Sequence, residues 1–301
     1  MILVTGAGGF IGSRLCHYLA ARGNQVTGLW HHDSTRLESL ADTPRFAALQ
    51  GDIRQPGAWL PELAEIETVF HLAAQPPTPP GVERTTNREG TGALLAALSQ
   101  VGVHRWVFTS TMSVYDFHEP DYLPVDETHR TAPLQPYGVE KLEAEGLLAA
   151  SRDPQIQSIS LRLAGIFGPG REGGAVHHFI RCALDGQPIE IEADRQIDIL
   201  HIDDAIQAMI LAQESLSDVC GEDRHRVYNI GRGEPTALTE LAQAASVAAG
   251  REVPISSQRA GSTFYMSIAA AKRDLGYVPA SLDEGLADVA AWVQDEEAVT
   301  S

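Results

Sequence analysis

Basic residues are scarce in this chain: 22 Lys and Arg stand against 40 Asp and Glu, a formal charge of −18. Nucleic-acid affinity rests mostly on clustered Lys and Arg that displace counterions, so the deficit excludes a phosphate-tracking surface. It does not exclude one local anion site, because a helix N-terminus binds phosphate without side-chain charge. Cysteine is scarce too. Cys16, Cys182 and Cys220 are odd in number and widely spaced, which excludes a disulfide framework and a cysteine metal cluster and fits a reducing cytoplasm. No run is long and apolar enough to span a membrane. The opening strand Ile2-Leu3-Val4 has no basic region before it and too few apolar residues for a signal sequence. Internal repeats and low-complexity segments are lacking, and Pro76 to Pro80 reads as a loop rather than a linker.

What is present is ample core material, with 44 % apolar and 21 % charged residues. Short apolar runs alternate with helical patterns through the first half: Ile2 to Thr5, Val26 to Leu29, Phe46 to Leu49, Val69 to Leu72, Trp106 to Thr109 and Ile156 to Leu161. Parallel strands need crossover helices, so the alternation predicts an α/β fold, a Rossmann-like doubly wound parallel sheet. Beyond about residue 163 the order loosens into Gly-rich and Pro-rich turns. The expected division is a dinucleotide-binding domain over 1–163 and a smaller C-terminal substrate lobe over 164–301. Two late strands, near 197–202 and 227–230, are expected to rejoin the main sheet.

The segment Thr5-Gly6-Ala7-Gly8-Gly9-Phe10-Ile11-Gly12 follows the first strand and opens an amphipathic helix. Gly6 permits the tight turn, Gly9 lets backbone approach a pyrophosphate, and Gly12 allows close helix packing, so phosphates would sit on the helix N-terminus with Phe10 and Ile11 beside them. At the end of the second strand, where an acidic residue binds the ribose in an NAD enzyme, stand Trp30-His31-His32. His31, His32 and Arg36 can pair with a 2′-phosphate, and this charge argument favours NADP over NAD, although Asp33 is near enough to serve the ribose. Asp52, with Ile53 beside it, is placed to accept from the adenine amino group or to cap the following turn.

Tyr137 and Lys141 lie four apart at the start of a predicted helix, hence on one face. An unperturbed tyrosine, pKa about 10, is a poor base at neutral pH, and a neighbouring ammonium favours its phenolate. Tyr137 is therefore the candidate general base, Lys141 its cation, and Thr111, just past the strand Trp106 to Thr109, the group that holds a substrate hydroxyl while its carbon gives up hydride. His177, His178 and His201 have no carboxylate or cysteine at ligand spacing, so no metal is expected.

These motifs together resemble the NAD-dependent epimerase/dehydratase family, the extended short-chain dehydrogenases/reductases. The likeness runs through Thr5 to Gly12, Gly51-Asp52, His71-Leu72-Ala73-Ala74, Asn87 with Gly90-Thr91, Ser110-Thr111 with Val114-Tyr115, and Tyr137 to Lys141. It continues through Leu161-Arg162, Phe167 to Gly170, His201 to Asp204 and Leu275 to Tyr277. The resemblance implies that Thr111, Tyr137 and Lys141 carry the chemistry, that Ala73 and Asn87 lie near the cofactor or its supporting helix, and that a homodimer forms through the Tyr137 helix. Met112 and Ser113 replace the Asp-Glu pair of dehydratases, which argues against a 4,6-dehydratase. Gly165, Ile197 and Phe264 stand where nucleotide-sugar enzymes tend to carry an Asn and arginines, and Arg171, Arg195 and Arg259 are the candidate substitutes. The stretch from Ala74 to Asn87 is short and carries four prolines, which reshapes a wall of the substrate cleft. The implied activity is redox at an alcohol or ketone carbon of a sugar-like small molecule, as a sugar epimerase or ketoreductase. A dehydrogenase/reductase of a non-nucleotide small molecule is the alternative, and a non-catalytic dinucleotide sensor the alternative of another class.

Overall fold

Strands covered on both faces are mostly apolar, and the opening run Ile2-Leu3-Val4 fits that pattern. The computed structural model describes residues 1–63, 65–75, 86–219 and 223–300. In it, Ile2–Thr5 (β1) and Thr68–His71 (β4) are buried at every position. With Val26–Trp30 (β2), Phe46–Gln50 (β3), Arg105–Thr111 (β5), Gln157–Leu163 (β6) and the late strand His225–Ile230 they form a seven-stranded parallel sheet. From one edge its order is His225–Ile230, β6, β5, β4, β1, β2, β3. The order reverses direction between β1 and β4, and in open α/β sheets ligands bind outside the carboxyl ends of the strands at such a switch point.

Contacts divide the chain into two compact units, the first made of Met1–Tyr115, Thr131–Arg162 and Ile206–Tyr228. Its helices include Phe10–Ala21 (α1), Thr91–Gln100 (α2) and Pro136–Ala149 (α3). Leu3, Val69, Leu94, Leu98, Trp106 and Leu148 share one of its buried clusters. The crossovers from β2 to β3 and from β3 to β4 hold only short 3₁₀ turns among the described residues, the first at Thr35–Leu40. Pro44, Pro56 and Pro61 keep those stretches from extending into helices.

The second unit comprises Asp116–Arg130, Leu163–Ala205 and Asn229–Ser301. Helices Gly174–Asp185, Leu238–Ala248 and Leu282–Thr300 enclose a core that includes Phe179, Ile180, Leu241, Ala245, Leu286 and Val293. Segment 116–130 belongs to this unit and 206–228 to the first, so the units interleave along the chain instead of meeting at residue 163.

Of the strands expected near 197–202 and 227–230, the later one lies in the main sheet. His225–Ile230 lies beside β6, with Ser158 N donating to Arg224 O at 3.0 Å and Ala164 N to Ile230 O at 2.8 Å. The run 197–202 is broken instead. Asp194–Ile197 joins a three-stranded sheet, Ile199–His201 pairs with Gly165–Phe167, and a helix begins at Ile202. The cause is Asp198, whose buried carboxylate accepts from Arg232 N at 2.9 Å and Met266 N at 3.1 Å and so diverts the strand. The Pro76 to Pro80 loop, most of the short wall from Ala74 to Asn87, and Cys220 fall outside the described residues.

Candidate active site

The glycine segment closes tightly over the end of β1. Gly6 has φ +73°, and a Cβ there would lie 2.7 Å from Ala73 N, so a side chain is excluded by both backbone and space. A Cβ on Gly12 would be driven into the carbonyl oxygen of Gly6, which seats α1 directly on the loop. Gly9 is exposed and stands at the N-cap with no side-chain cap bond, and the first turn, Phe10, Ile11 and Gly12 included, holds no acidic residue. The helix terminus thus offers backbone N–H groups and the positive end of its dipole to an anion. A dinucleotide pyrophosphate fits that cradle.

Beside it, a cavity of about 300 Å³ is lined by Gly6, His31, His32, Asp52, Ile53, Arg54, Ala73 and Gln75 among others. Of the residues expected at the cofactor, His31, His32, Asp52, Ile53 and Ala73 share this lining, whereas Arg36 is absent from it and Arg54 is present. Arg54 holds Asp52 through two guanidinium nitrogens at 2.6 to 3.1 Å, and Asp52 Oδ1 also accepts from Arg54 N at 2.8 Å. These bonds hold the Asp52 carboxyl below its ordinary range, against the opposing effect of burial. His31 Nε2 lies 3.8 Å from the same carboxylate. Asp52 therefore acts as a turn cap and ion-pair partner. Asp33, for its part, accepts from Thr35 N at 2.9 Å and Thr35 Oγ1 at 2.7 Å.

The catalytic candidates sit where α3 meets the end of β5. Thr111 ends that strand, and its Oγ1 accepts from Ser113 N at 3.2 Å. A Cβ on Gly138 would be driven into the carbonyl oxygen of Ser113, so only glycine lets the first turn of α3, with half-buried Tyr137, lie against the Thr111 turn. One turn later Lys141 is 2 % exposed and donates through Nζ to Thr109 O at 2.7 Å. Burial pulls its pKa down to about 7, with Glu145 opposing the fall. Glu145 is buried as well. It accepts from Ser110 Oγ and from Arg162 Nε at 3.1 Å and Nη2 at 2.7 Å, while Arg162 Nη1 donates to Tyr115 OH at 2.7 Å. Removing one partner of such a pair leaves an uncompensated buried charge, typically at a cost of about 3–5 kcal/mol.

Sequence reasoning missed Arg54, Gly138 and Glu145. The spacing from Lys141 to Glu145 repeats that from Tyr137 to Lys141, so the helix face that revealed the pair also carries the carboxylate. Arg54 lay hidden in a turn with no periodicity.

In the second unit, Arg195 and Arg259 line one cavity of about 740 Å³ with His118, His178, Glu190 and Glu192, and Arg171 lines a separate one of about 170 Å³. Arg259 is paired with Glu192 at 2.9 Å. Ile197 and Phe264 are register partners on adjacent strands, and Gly165 pairs with Ile199. His201 does have carboxylate neighbours, because the fold brings Asp203 and Asp288 within 4.8 Å of its ring. Its Nδ1 accepts from Asp203 N at 3.4 Å, which places the ring proton on Nε2, 3.5 Å from Asp288 Oδ2. No helix among the described residues is long and apolar enough to cross a membrane.

A model of the NAD dependent epimerase/dehydratase family matches residues 2–231. The 2-alkyl-3-oxoalkanoate reductase of Stenotrophomonas maltophilia is 28 % identical, over 95 % of this chain and 97 % of that protein. A putative UDP-glucose 4-epimerase of Methanocaldococcus jannaschii is 29 % identical, over 98 % and 99 %. Among solved structures, UDP-glucuronic acid 4-epimerase from Bacillus cereus, in complex with UDP-glucuronic acid and NAD, superposes with a TM-score of 0.82 at 28 % identity, covering 98 % of this chain and 99 % of that one.

Proposed function

We propose, from the premise that the chain belongs to the NAD dependent epimerase/dehydratase family, that it moves a hydride at an alcohol or ketone carbon of a sugar-like small molecule, with Tyr137 as general base or acid. The observation that carries the reading is the seating of α3 on the end of β5. Gly138 brings the Tyr137 turn onto the Thr111 turn, and Lys141 is buried beneath. When bound, the nicotinamide accepts the hydride or returns it. Tyr137, as phenolate, takes the proton of the substrate hydroxyl, and Thr111 Oγ1 holds the same oxygen. Lys141 supplies the ammonium that favours the phenolate. A dinucleotide sensor has no use for a buried lysine beside a tyrosine, and that speaks against the non-catalytic alternative.

NAD is the dinucleotide we assign. The NADP expectation rests on His31, His32 and Arg36; Arg36 does not line that cavity, and Arg54, the guanidinium that does, is engaged by Asp52. The Bacillus cereus epimerase holds NAD in its complex with UDP-glucuronic acid, which supports the same choice. A homodimer through α3 belongs to this reading, since Leu134 and Val139 leave apolar surface exposed there, as does a cytoplasmic setting for the thiols of Cys16 and Cys182.

Two kinds of substrate fit. Relatives named for UDP-sugars favour a sugar epimerase. The apolar pair Ile197 and Phe264, at positions where nucleotide-sugar enzymes tend to carry arginines, favours instead the reduction of a ketone that carries no nucleotide. Mass spectrometry of small molecules released from gently purified, denatured protein separates them. Near-stoichiometric NAD marks an epimerase that retains its cofactor, and an empty protein marks a reductase that exchanges it. Tyr137→Phe should lower turnover by about 10²- to 10⁴-fold with dinucleotide binding nearly intact, and an active variant would sink the mechanism.

A further inference from the structure

Below the cofactor cavity, a line of polar side chains runs through an otherwise apolar interior. Thr5 Oγ1 accepts from Leu72 N at 3.2 Å and Ala73 N at 3.1 Å, and it lies 2.8 Å from His71 Nδ1. His71, fully buried, has Nε2 2.8 Å from Thr91 Oγ1, and the Thr91 hydroxyl donates to Asn87 O. Because Thr91 spends its proton on that carbonyl, His71 must carry its own on Nε2, and Thr5 donates to Nδ1. Burial first, and Lys141 second, push the His71 pKa down to about 3, so the ring stays neutral and the proton order is single-valued. Asn87, 2 % exposed, then clasps both backbone groups of Gln75, accepting from its N–H at 2.8 Å and donating to its carbonyl at 3.1 Å. Its amide nitrogen also donates to Glu140 Oε2 at 2.5 Å.

Glu140 lies on α3 between Tyr137 and Lys141, and Gln75 and Ala73 line the dinucleotide cavity. We propose that Glu140 is a positioning residue: it closes the hydrogen-bonded chain that begins at Thr5, so that the cavity wall at Ala73 to Gln75 and the helix carrying Tyr137 are held as one body. The latch rests on the reading of Tyr137 as the base. Its carboxylate does two things. It fixes the helix through Asn87, and it sets a negative charge three residues from the phenol, where it opposes the phenolate that Lys141 favours. Occupation of the cavity is thereby felt at the catalytic helix.

The test needs no substrate: NADH affinity by fluorescence titration, and Tyr137 ionisation from the ultraviolet difference spectrum with Tyr137→Phe as blank. Asn87→Ala and Glu140→Ala should each weaken NADH roughly tenfold, and the double variant no more than either single one, as befits two residues acting through one contact. Glu140→Gln keeps an acceptor for Asn87 and loses the charge, so NADH affinity should largely return while Tyr137 ionises at lower pH. Glu140→Asp keeps the charge and loses reach, so it should weaken NADH and leave Tyr137 ionisation nearly in place. Should the alanine variants fail to fold, the Gln and Asp pair still decides. Additive losses in the double variant, or Gln and Asp variants that behave alike in both readouts, would overturn the latch. A fully active Tyr137→Phe enzyme would overturn the catalytic reading instead, and leave the NADH coupling to be judged by itself.

Discussion

The two ends of the proposed cofactor site are built on different principles. Around the candidate catalytic corner Lys141, Glu145 and His71 are buried and bonded to fixed partners: Lys141 to a strand carbonyl, Glu145 to Arg162 and Ser110, His71 between two threonines. At the ribose corner His31 and Arg54 have side chains 43 % and 42 % exposed, and Arg54 and Asp52 satisfy one another. Burial makes each partner obligatory, because a charge or donor left unpaired in the interior is costly. Exposure removes that obligation. The catalytic corner therefore declares its chemistry, and the ribose corner, rich in charge, dictates far less about its ligand.

The sharpest way to break this contrast is at the buried end. Lys141→Met should lower kcat by about 10²- to 10⁴-fold, the range in which positioned acid–base groups act, with dinucleotide affinity changed much less. Gly138→Ala comes next. Its methyl must displace either α3 or the Thr111 turn, and a displacement of about 1 Å at a reacting centre can cost about 10²-fold. The expected signature is a fall in kcat with thermal stability lowered only modestly. If Gly138→Ala retains full kcat, the seating of α3 is not what aligns Tyr137.

The same contrast explains what was legible in the sequence. The strand runs, the glycine segment and the Tyr137/Lys141 face could be read because sheet burial, helix period and tight turns each leave a local pattern, and those patterns agree with the fold. The strand expected over 197–202 was misread because Asp198, one polar residue in an apolar run, is recruited by backbone groups of Arg232 and Met266 far along the chain. Charge and nearness to His31 point to Arg36, yet it is the turn after the third strand that brings Arg54 to the cavity. Glu140 and Asn87 stand 53 positions apart, and no local pattern marks a pair that only the fold brings within 2.5 Å.

A subtler consequence of burial is a pH dependence of stability. His71 has a folded pKa of about 3, and an ordinary histidine in the unfolded chain titrates near 6.5. Between those values the unfolded state binds the proton and the folded state does not, so stability falls as pH drops from 6.5 toward 3. Asp198 works the other way, since burial raises its folded pKa to about 6 and its protonation favours the folded state in acid. Comparing wild type with His71→Asn cancels the Asp198 contribution. Denaturant melts from pH 7 to pH 4 should show the steeper acid loss in the wild type, and equal slopes would mean that His71 is not held neutral.

The smallest expected effect is at the exposed end. Asp52→Asn releases Arg54 from its carboxylate partner and should shift binding toward NADP relative to NAD, whereas Arg54→Ala should shift it toward NAD. Exposed ion pairs are worth about 0–1 kcal/mol, so each change should stay within about fivefold in the ratio of the two dissociation constants. The sign of the Asp52→Asn shift matters more than its size. A move toward NADP means that Arg54 faces the ribose 2′ position and that Asp52 holds it in check. A ratio altered by tenfold or more would erase the contrast between the two ends, because the ribose corner would then be as strict about its ligand as the buried one.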